Sequence, residues 1–330
     1  MCNRLHARSC SWLKLFCVAA VASALAILSS SAQGQDVAVK APPAAAASKP
    51  KLKPGSFDSD GVKIVYVEAG EGEPVILVHG FTASAAMQWI SPGIFDALAK
   101  NYRVIAIDNR GHGKSDKPHD PQAYGANMVE DVRRLLDHLE IKKAHLVGYS
   151  MGGFISNKFL AEHPERLLTV TLGGAGWTKE HSETLSMLDE LAASLEQGKG
   201  ITPLIERLAP PGRPKPTEEQ IAAMNSMVML MNDPKALAAV ARGMKGLAVT
   251  EEEVKANKTP VLALIGEIDP LKTCVDELQG VMPNLEVVVI EKADHMTAFP
   301  DPKFIQSLSK FLGEHSQAGS EKPVAAGAGN

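Results

Sequence analysis

The chain has 330 residues, of which 45% are hydrophobic, 22% charged and 5% aromatic, and its formal net charge is −4. That is an ordinary globular balance, and a chain of this length buries enough core to need no disulfide or metal staple. Acidic and basic residues are interspersed without a sustained basic stripe, which argues against nucleic acid as a partner.

The amino-terminal stretch has the pattern of a secretion signal. Arg4, Arg8 and Lys14 give a positive start, residues 15–28 carry no charge, and Ala32-Gln33-Gly34 supplies small residues ahead of a cut at Gln35. The apolar run is short for a membrane span. The expectation is therefore an exported protein, periplasmic or secreted, without a stable span after removal of residues 1–34, an uncleaved anchor being the alternative. Losing those three cations and no acid takes the net charge from −4 to −7. Cys2, Cys10 and Cys17 fall inside the signal, which leaves Cys274 alone and predicts no internal disulfide. Residues 35–55 are a Pro/Ala/Lys linker expected to be disordered, and residues 316–330 read as a disordered tail.

Between them, short apolar runs alternate with helical patterns. Residues 62–67 alternate as a half-exposed strand, and 70–74 (Gly-Glu-Gly-Glu-Pro) read as a hairpin-type turn. Residues 75–78 and 104–107 are continuous apolar runs, as strands covered on both faces require, and 144–149, 168–172, 261–265 and 287–290 continue the series. Helical patterns occupy 94–100, 128–140, 154–162, 274–281 and 304–312. Such alternation implies a mostly parallel sheet flanked by helices on both faces. From 177 to 253 only helical patterns occur, so a helical cap is expected to interrupt a core made of 56–176 and 254–315. The cap carries Met187, Met224, Met227, Met229, Met231 and Met244, which either fill its own small core or form an adaptable apolar wall over a substrate.

The chemistry concentrates at loops. Gly148-Tyr149-Ser150-Met151-Gly152-Gly153 falls where a buried strand gives way to a helix. A serine on so sharp a turn is pushed above the sheet edge with strained backbone angles, and the flanking glycines remove side chains that would clash there. His112, His119, His138, His145 and His163 are scattered without metal-ligand spacing, so neither a metal nor a cofactor is expected.

Five segments in order carry a resemblance to the α/β-hydrolase family over nearly all of residues 56–315. They are His79-Gly80-Phe81-Thr82, Asp108 to Ser115, Gly148 to Gly153, Gly266-Glu267-Ile268-Asp269 and Asp294-His295. The resemblance implies an α/β fold with Ser150 as nucleophile, His295 as general base and Asp269 as the acid that orients it; Asp294, Glu267 and Asp276 are weaker choices for the acid. It also implies an oxyanion hole from the backbone N–H groups of Phe81 and Met151. Asp108 and Arg110, in the loop the family keeps near the site entrance, read as pairing or capping locally. Tyr149, Trp177 and Met296 are candidates for lining the substrate pocket, Trp177 being equally suited to packing.

Serine at the elbow disfavours reactions resembling those of epoxide hydrolases or haloalkane dehalogenases, which use aspartate there. Acyl transfer on a small to medium apolar carboxylic ester or lactone is the expected activity. A carbon–carbon hydrolase or a cofactor-free perhydrolase with the same triad is the alternative, and a ligand-binding pseudoenzyme is the rival from outside catalysis. The sequence leaves the oligomeric state open.

Overall fold

The computed structural model of the chain describes residues 49–180 and 183–316. The expected signal at 1–34, the expected linker up to 48 and the expected tail from 317 onward lie outside the described residues.

The chain begins with two strands, β1 (Lys53–Asp58) and β2 (Lys63–Ala69), followed by β3 (Pro74–Val78), α1 (Ile94–Leu98), β4 (Arg103–Asp108) and α2 (Ala126–His138). It continues with β5 (Ala144–Tyr149), α3 (Met151–Glu162) and β6 (Leu167–Gly173). Five helices then follow without a strand among the described residues: α4 (Glu183–Glu196), α5 (Thr202–Arg207), α6 (Glu218–Met231), α7 (Pro234–Gly243) and α8 (Glu251–Ala256). The core closes with β7 (Val261–Gly266), α9 (Lys272–Gln279), β8 (Leu285–Ile290) and α10 (Pro302–Glu314).

The eight strands form one sheet in the order β1-β2-β4-β3-β5-β6-β7-β8, parallel except where β1 meets β2 and β2 meets β4. Period-two geometry divides the apolar runs between two cores. On β3, Ile76 and Val78 face the layer that holds α2 and α3, while Val75 and Leu77 face the layer of α1 and α10. This is why β3 reads as an unbroken apolar run.

Two expectations are corrected. Lys53, Pro54 and Gly55, assigned to the linker, open β1 and pair with Glu68, Val67 and Tyr66. An edge strand tolerates proline because only one side needs ladder hydrogen bonds. Gly55 fits because the Tyr66 ring lies over it, where a Cβ would come within 2.2 Å of Cζ. The 70–74 turn does not close a hairpin, because β4 lies between β2 and β3. The half-exposed β2 stays near the edge, and β3, buried throughout, needs a strand on each side.

Helix α8 straddles the cap's expected end at 253. Helix α8 spans Glu251–Ala256, opened by a capping box in which Thr250 accepts from the Glu253 backbone and the Glu253 carboxylate accepts from the Thr250 N–H. Elsewhere α4 packs on α7. Helix α6 buries none of its residues fully and leaves Leu230 87% exposed.

Candidate active site

Ser150 sits between the end of β5 and the start of α3 with φ 53° and ψ −119°, a conformation costly for a residue with a side chain. Backbone contacts hold it there: its N–H donates to Gly173 O at 2.8 Å, and its carbonyl accepts from Gly153 and Phe154. The glycines around it are required by close approach. A Cβ on Gly148 would lie 2.0 Å from Gly152 O, and one on Gly152 would lie 2.1 Å from Val78 O.

His295 follows β8 and Asp269 follows β7, and the sheet brings both loops to the serine. With its proton on Nδ1, His295 donates to Asp269 Oδ2 at 2.8 Å, leaving Nε2 2.9 Å from Ser150 Oγ to accept from the hydroxyl. Both His295 and Asp269 are buried. The second Asp269 oxygen accepts from Leu271 N at 2.9 Å, which fixes the carboxylate plane. Tyr149 supports the same loop from below, its hydroxyl donating to His295 O at 2.6 Å. Burial pushes that phenol well above its usual range, so it remains a donor.

Of the weaker acids, Asp294 points away from the imidazole. Its carboxylate caps the Met296 and Thr297 N–H groups and pairs with Arg213 at 2.8 Å. Glu267 accepts from Lys292 N, and Asp276 pairs with Lys272.

Phe81 and Met151 flank Ser150 on the wall of a cavity of about 500 Å³. The Phe81 N–H has no acceptor among the described residues, and that of Met151, first in α3, has none within its helix. Both are free to meet a developing oxyanion. Gln88, buried beside them, accepts from Gly80 N at 3.3 Å and steadies the turn before Phe81.

Tyr149 and Met296 line the cavity, Met296 at its exposed rim. Trp177 does not. It is 4% exposed, packs in the core beside the cap, donates from its indole to Val249 O at 2.8 Å, and lies under Lys179. The indole N–H found its partner in the backbone, so the residue packs. Of the cap methionines, Met187, Met224, Met227 and Met244 line the cavity, Met229 packs against the core, and Met231 is exposed. Four of the six thus line the cavity, Met187 and Met244 while also packing in the core.

The Asp108–Ser115 loop is held as a scaffold. Asp108 accepts from Ala85 N and Lys114 N, both at 2.8 Å. Arg110 does not pair with it; the guanidinium reaches instead to Asp131 on α2, at 2.7 and 2.6 Å, with both side chains buried.

Residues 73–203 match the alpha/beta hydrolase fold family. The chain is 29% identical over 272 residues to a putative 2-succinyl-6-hydroxy-2,4-cyclohexadiene-1-carboxylate synthase of Bacillus subtilis, covering 77% of this chain and 96% of that one. It is 28% identical over 264 residues to a pimeloyl-[acyl-carrier protein] methyl ester esterase of Aeromonas hydrophila, covering 74% and 97%. A 42% match over 115 residues links it to a 2-hydroxy-6-oxo-6-phenylhexa-2,4-dienoate hydrolase of Comamonas testosteroni, covering 34% and 40%. The crystal structure of MGS-M2, an α/β-hydrolase enzyme from a Medee basin deep-sea metagenome library, superposes with a TM-score of 0.68 over 78% of this chain and 97% of that one, at 21% identity.

The chain has the α/β-hydrolase fold and is a hydrolytic enzyme. Several residues that shape this hydrolase's site carry no sequence signal. Gln88 and Arg207 belong to no motif, and Arg213 sits in a Pro/Gly loop that reads as a connector. The Tyr149 hydroxyl is the exception, since a tyrosine beside the elbow serine is at least a candidate for the site.

Proposed function

We propose that the enzyme is a serine hydrolase that cleaves a carboxylic ester or lactone with a small to medium apolar body through an acyl-enzyme. The relay from Asp269 through His295 to Ser150, at 2.8 and 2.9 Å on the wall of an apolar cavity, carries this reading.

In this mechanism His295 Nε2 takes the Ser150 proton as Oγ attacks the ester carbonyl. The negative charge on the tetrahedral oxygen is met by the N–H groups of Phe81 and Met151. The imidazolium, stabilised by Asp269, then gives its proton to the leaving alcohol as the carbon–oxygen bond breaks. Water, deprotonated by His295, repeats the attack on the acyl-enzyme and releases the acid. The 42% identity over 115 residues to the Comamonas hydrolase supports a second reading, cleavage of a carbon–carbon bond next to a carbonyl by the same three residues.

The test is labelling by an uncharged fluorophosphonate, together with turnover of p-nitrophenyl esters of increasing acyl length. Labelling that disappears in Ser150→Ala and ester turnover that peaks at short to medium acyl chains are expected. A folded wild-type protein that neither labels nor turns over any ester overturns the reading.

We further propose export, on the pattern of residues 1–34. Amino-terminal sequencing of the protein recovered from outside the cytoplasm should begin at Gln35, and an intact Met1 would refute cleavage.

A further inference from the structure

We propose that Arg207 is a subsite for a carboxylate on the substrate, remote from the scissile ester. The inference rests on the ester-hydrolase reading and narrows its substrate class to amphiphilic molecules. These carry a reactive ester at one end, an apolar middle and a carboxylate at the other.

The cavity walls are apolar, formed by residues such as Phe81, Met187, Leu188, Leu204, Val228 and Phe299. Three lining side chains can bear charge: His295, Asp294 and Arg207. His295 is engaged in the relay, and Asp294 is paired with Arg213 and capped by two N–H groups. Arg207, the last residue of α5, has no ion pair or hydrogen bond among the described residues, and its Nε is buried without an acceptor. Its sequence neighbour Glu206 is exposed.

A guanidinium cannot shed its charge, and a buried N–H without a partner is costly. Such a group in an apolar wall is stabilised by whatever enters the cavity with an acceptor. Carboxylate is the matching chemistry: it is planar, it takes two parallel N–H bonds from the guanidinium fork, and one negative charge balances one arginine. A dianionic phosphate would leave a net negative charge in an apolar cavity. Half-esters of linear dicarboxylic acids are the simplest molecules of this class.

The experiment compares kcat/KM for monomethyl esters of linear dicarboxylic acids with methyl esters of the matching monocarboxylic acids, length by length. The wild type, Arg207→Gln and Arg207→Lys are assayed, and uncharged fluorophosphonate labelling of Ser150 verifies that each variant has an assembled site. At the chain length that spans the cavity, the wild type should favour the carboxylate ester on the order of 10- to 100-fold, as expected for a charge-assisted hydrogen bond. In Arg207→Gln this ratio should collapse toward one, and Arg207→Lys should restore part of it. Because the readout is a ratio, a general disturbance of the pocket cancels. Turnover of the neutral series with no preference at any length, or an unchanged ratio in Arg207→Gln, overturns the subsite and leaves the ester-hydrolase reading standing. Turnover of neither series by a folded wild type overturns both.

Discussion

Catalytic competence in this enzyme rests on single atoms whose neighbours can be named. On the proposed mechanism Ser150→Ala removes the attacking oxygen, and kcat should fall by at least ~10³-fold with the fold intact, measured by ester turnover alongside circular dichroism. Asp269→Asn should cost roughly 10³- to 10⁴-fold in kcat, because the amide can hold the imidazole in the wrong tautomer. Equal activity in that variant would move the role to another acid, for which Asp294 is poorly placed while it pairs with Arg213. Tyr149→Phe leaves the His295 carbonyl without its donor and should destabilise by about 1–3 kcal/mol. At this scale the sequence was legible where a motif forces a conformation. Ser150, with its positive φ and crowding glycines, is visible because only a few residue types tolerate the geometry. Trp177 was ambiguous because an indole looks the same in a pocket and in a core, and only its contact with Val249 O decides. Arg207 was invisible because isolated arginines are usually solvated.

Among the elements, α2 and the loop after β4 are joined by one buried ion pair. Asp131 accepts two of the four Arg110 bonds and that of the Ser59 hydroxyl, which itself lies in the β1–β2 connection. Asp131→Ala would strand a buried guanidinium, and urea denaturation should show a loss of about 3–5 kcal/mol. A loss below ~1 kcal/mol would mean that the pair is solvated in solution. Strand and helix types were readable because the apolar runs and amphipathic periods are long. The order of strands was less so: local pattern near residues 70–74 suggests a hairpin, and only the need of β3 for cover on both sides puts β4 between. The beginning of β1 was hidden for a related reason, since Lys53-Pro54-Gly55 has linker composition and owes its strand to pairing with β2.

For the whole molecule, acid stability follows from two buried imidazoles beside the site. His79 donates from Nδ1 to Gly80 O and accepts at Nε2 from the Asn109 N–H, and His112 stacks edge-on against it with its Nε2 lacking a partner. Desolvation by burial is the main cause that pushes His79 down to about 4 and His112 down to about 3. In the unfolded chain both titrate near 6.5. The unfolded state therefore binds the extra protons first. The stabilisation is complete above about pH 6.5 and is lost as the pH falls toward the folded values. Urea midpoints should fall steadily between pH 7 and about 4, with a shallower slope in His112→Asn. A flat profile in the wild type would show that neither imidazole is held neutral.

Ser150 and His295 are 145 residues apart in the chain, and the groups that would form the relay come from three separate loops. No fragment shorter than nearly the whole core contains all three, so activity reports completed tertiary structure and nothing less. A chain still unfolded during synthesis is chemically silent, and its hydrolytic power switches on when the last strands dock. Contacts between residues far apart in sequence are slow to form, so that event comes late in folding.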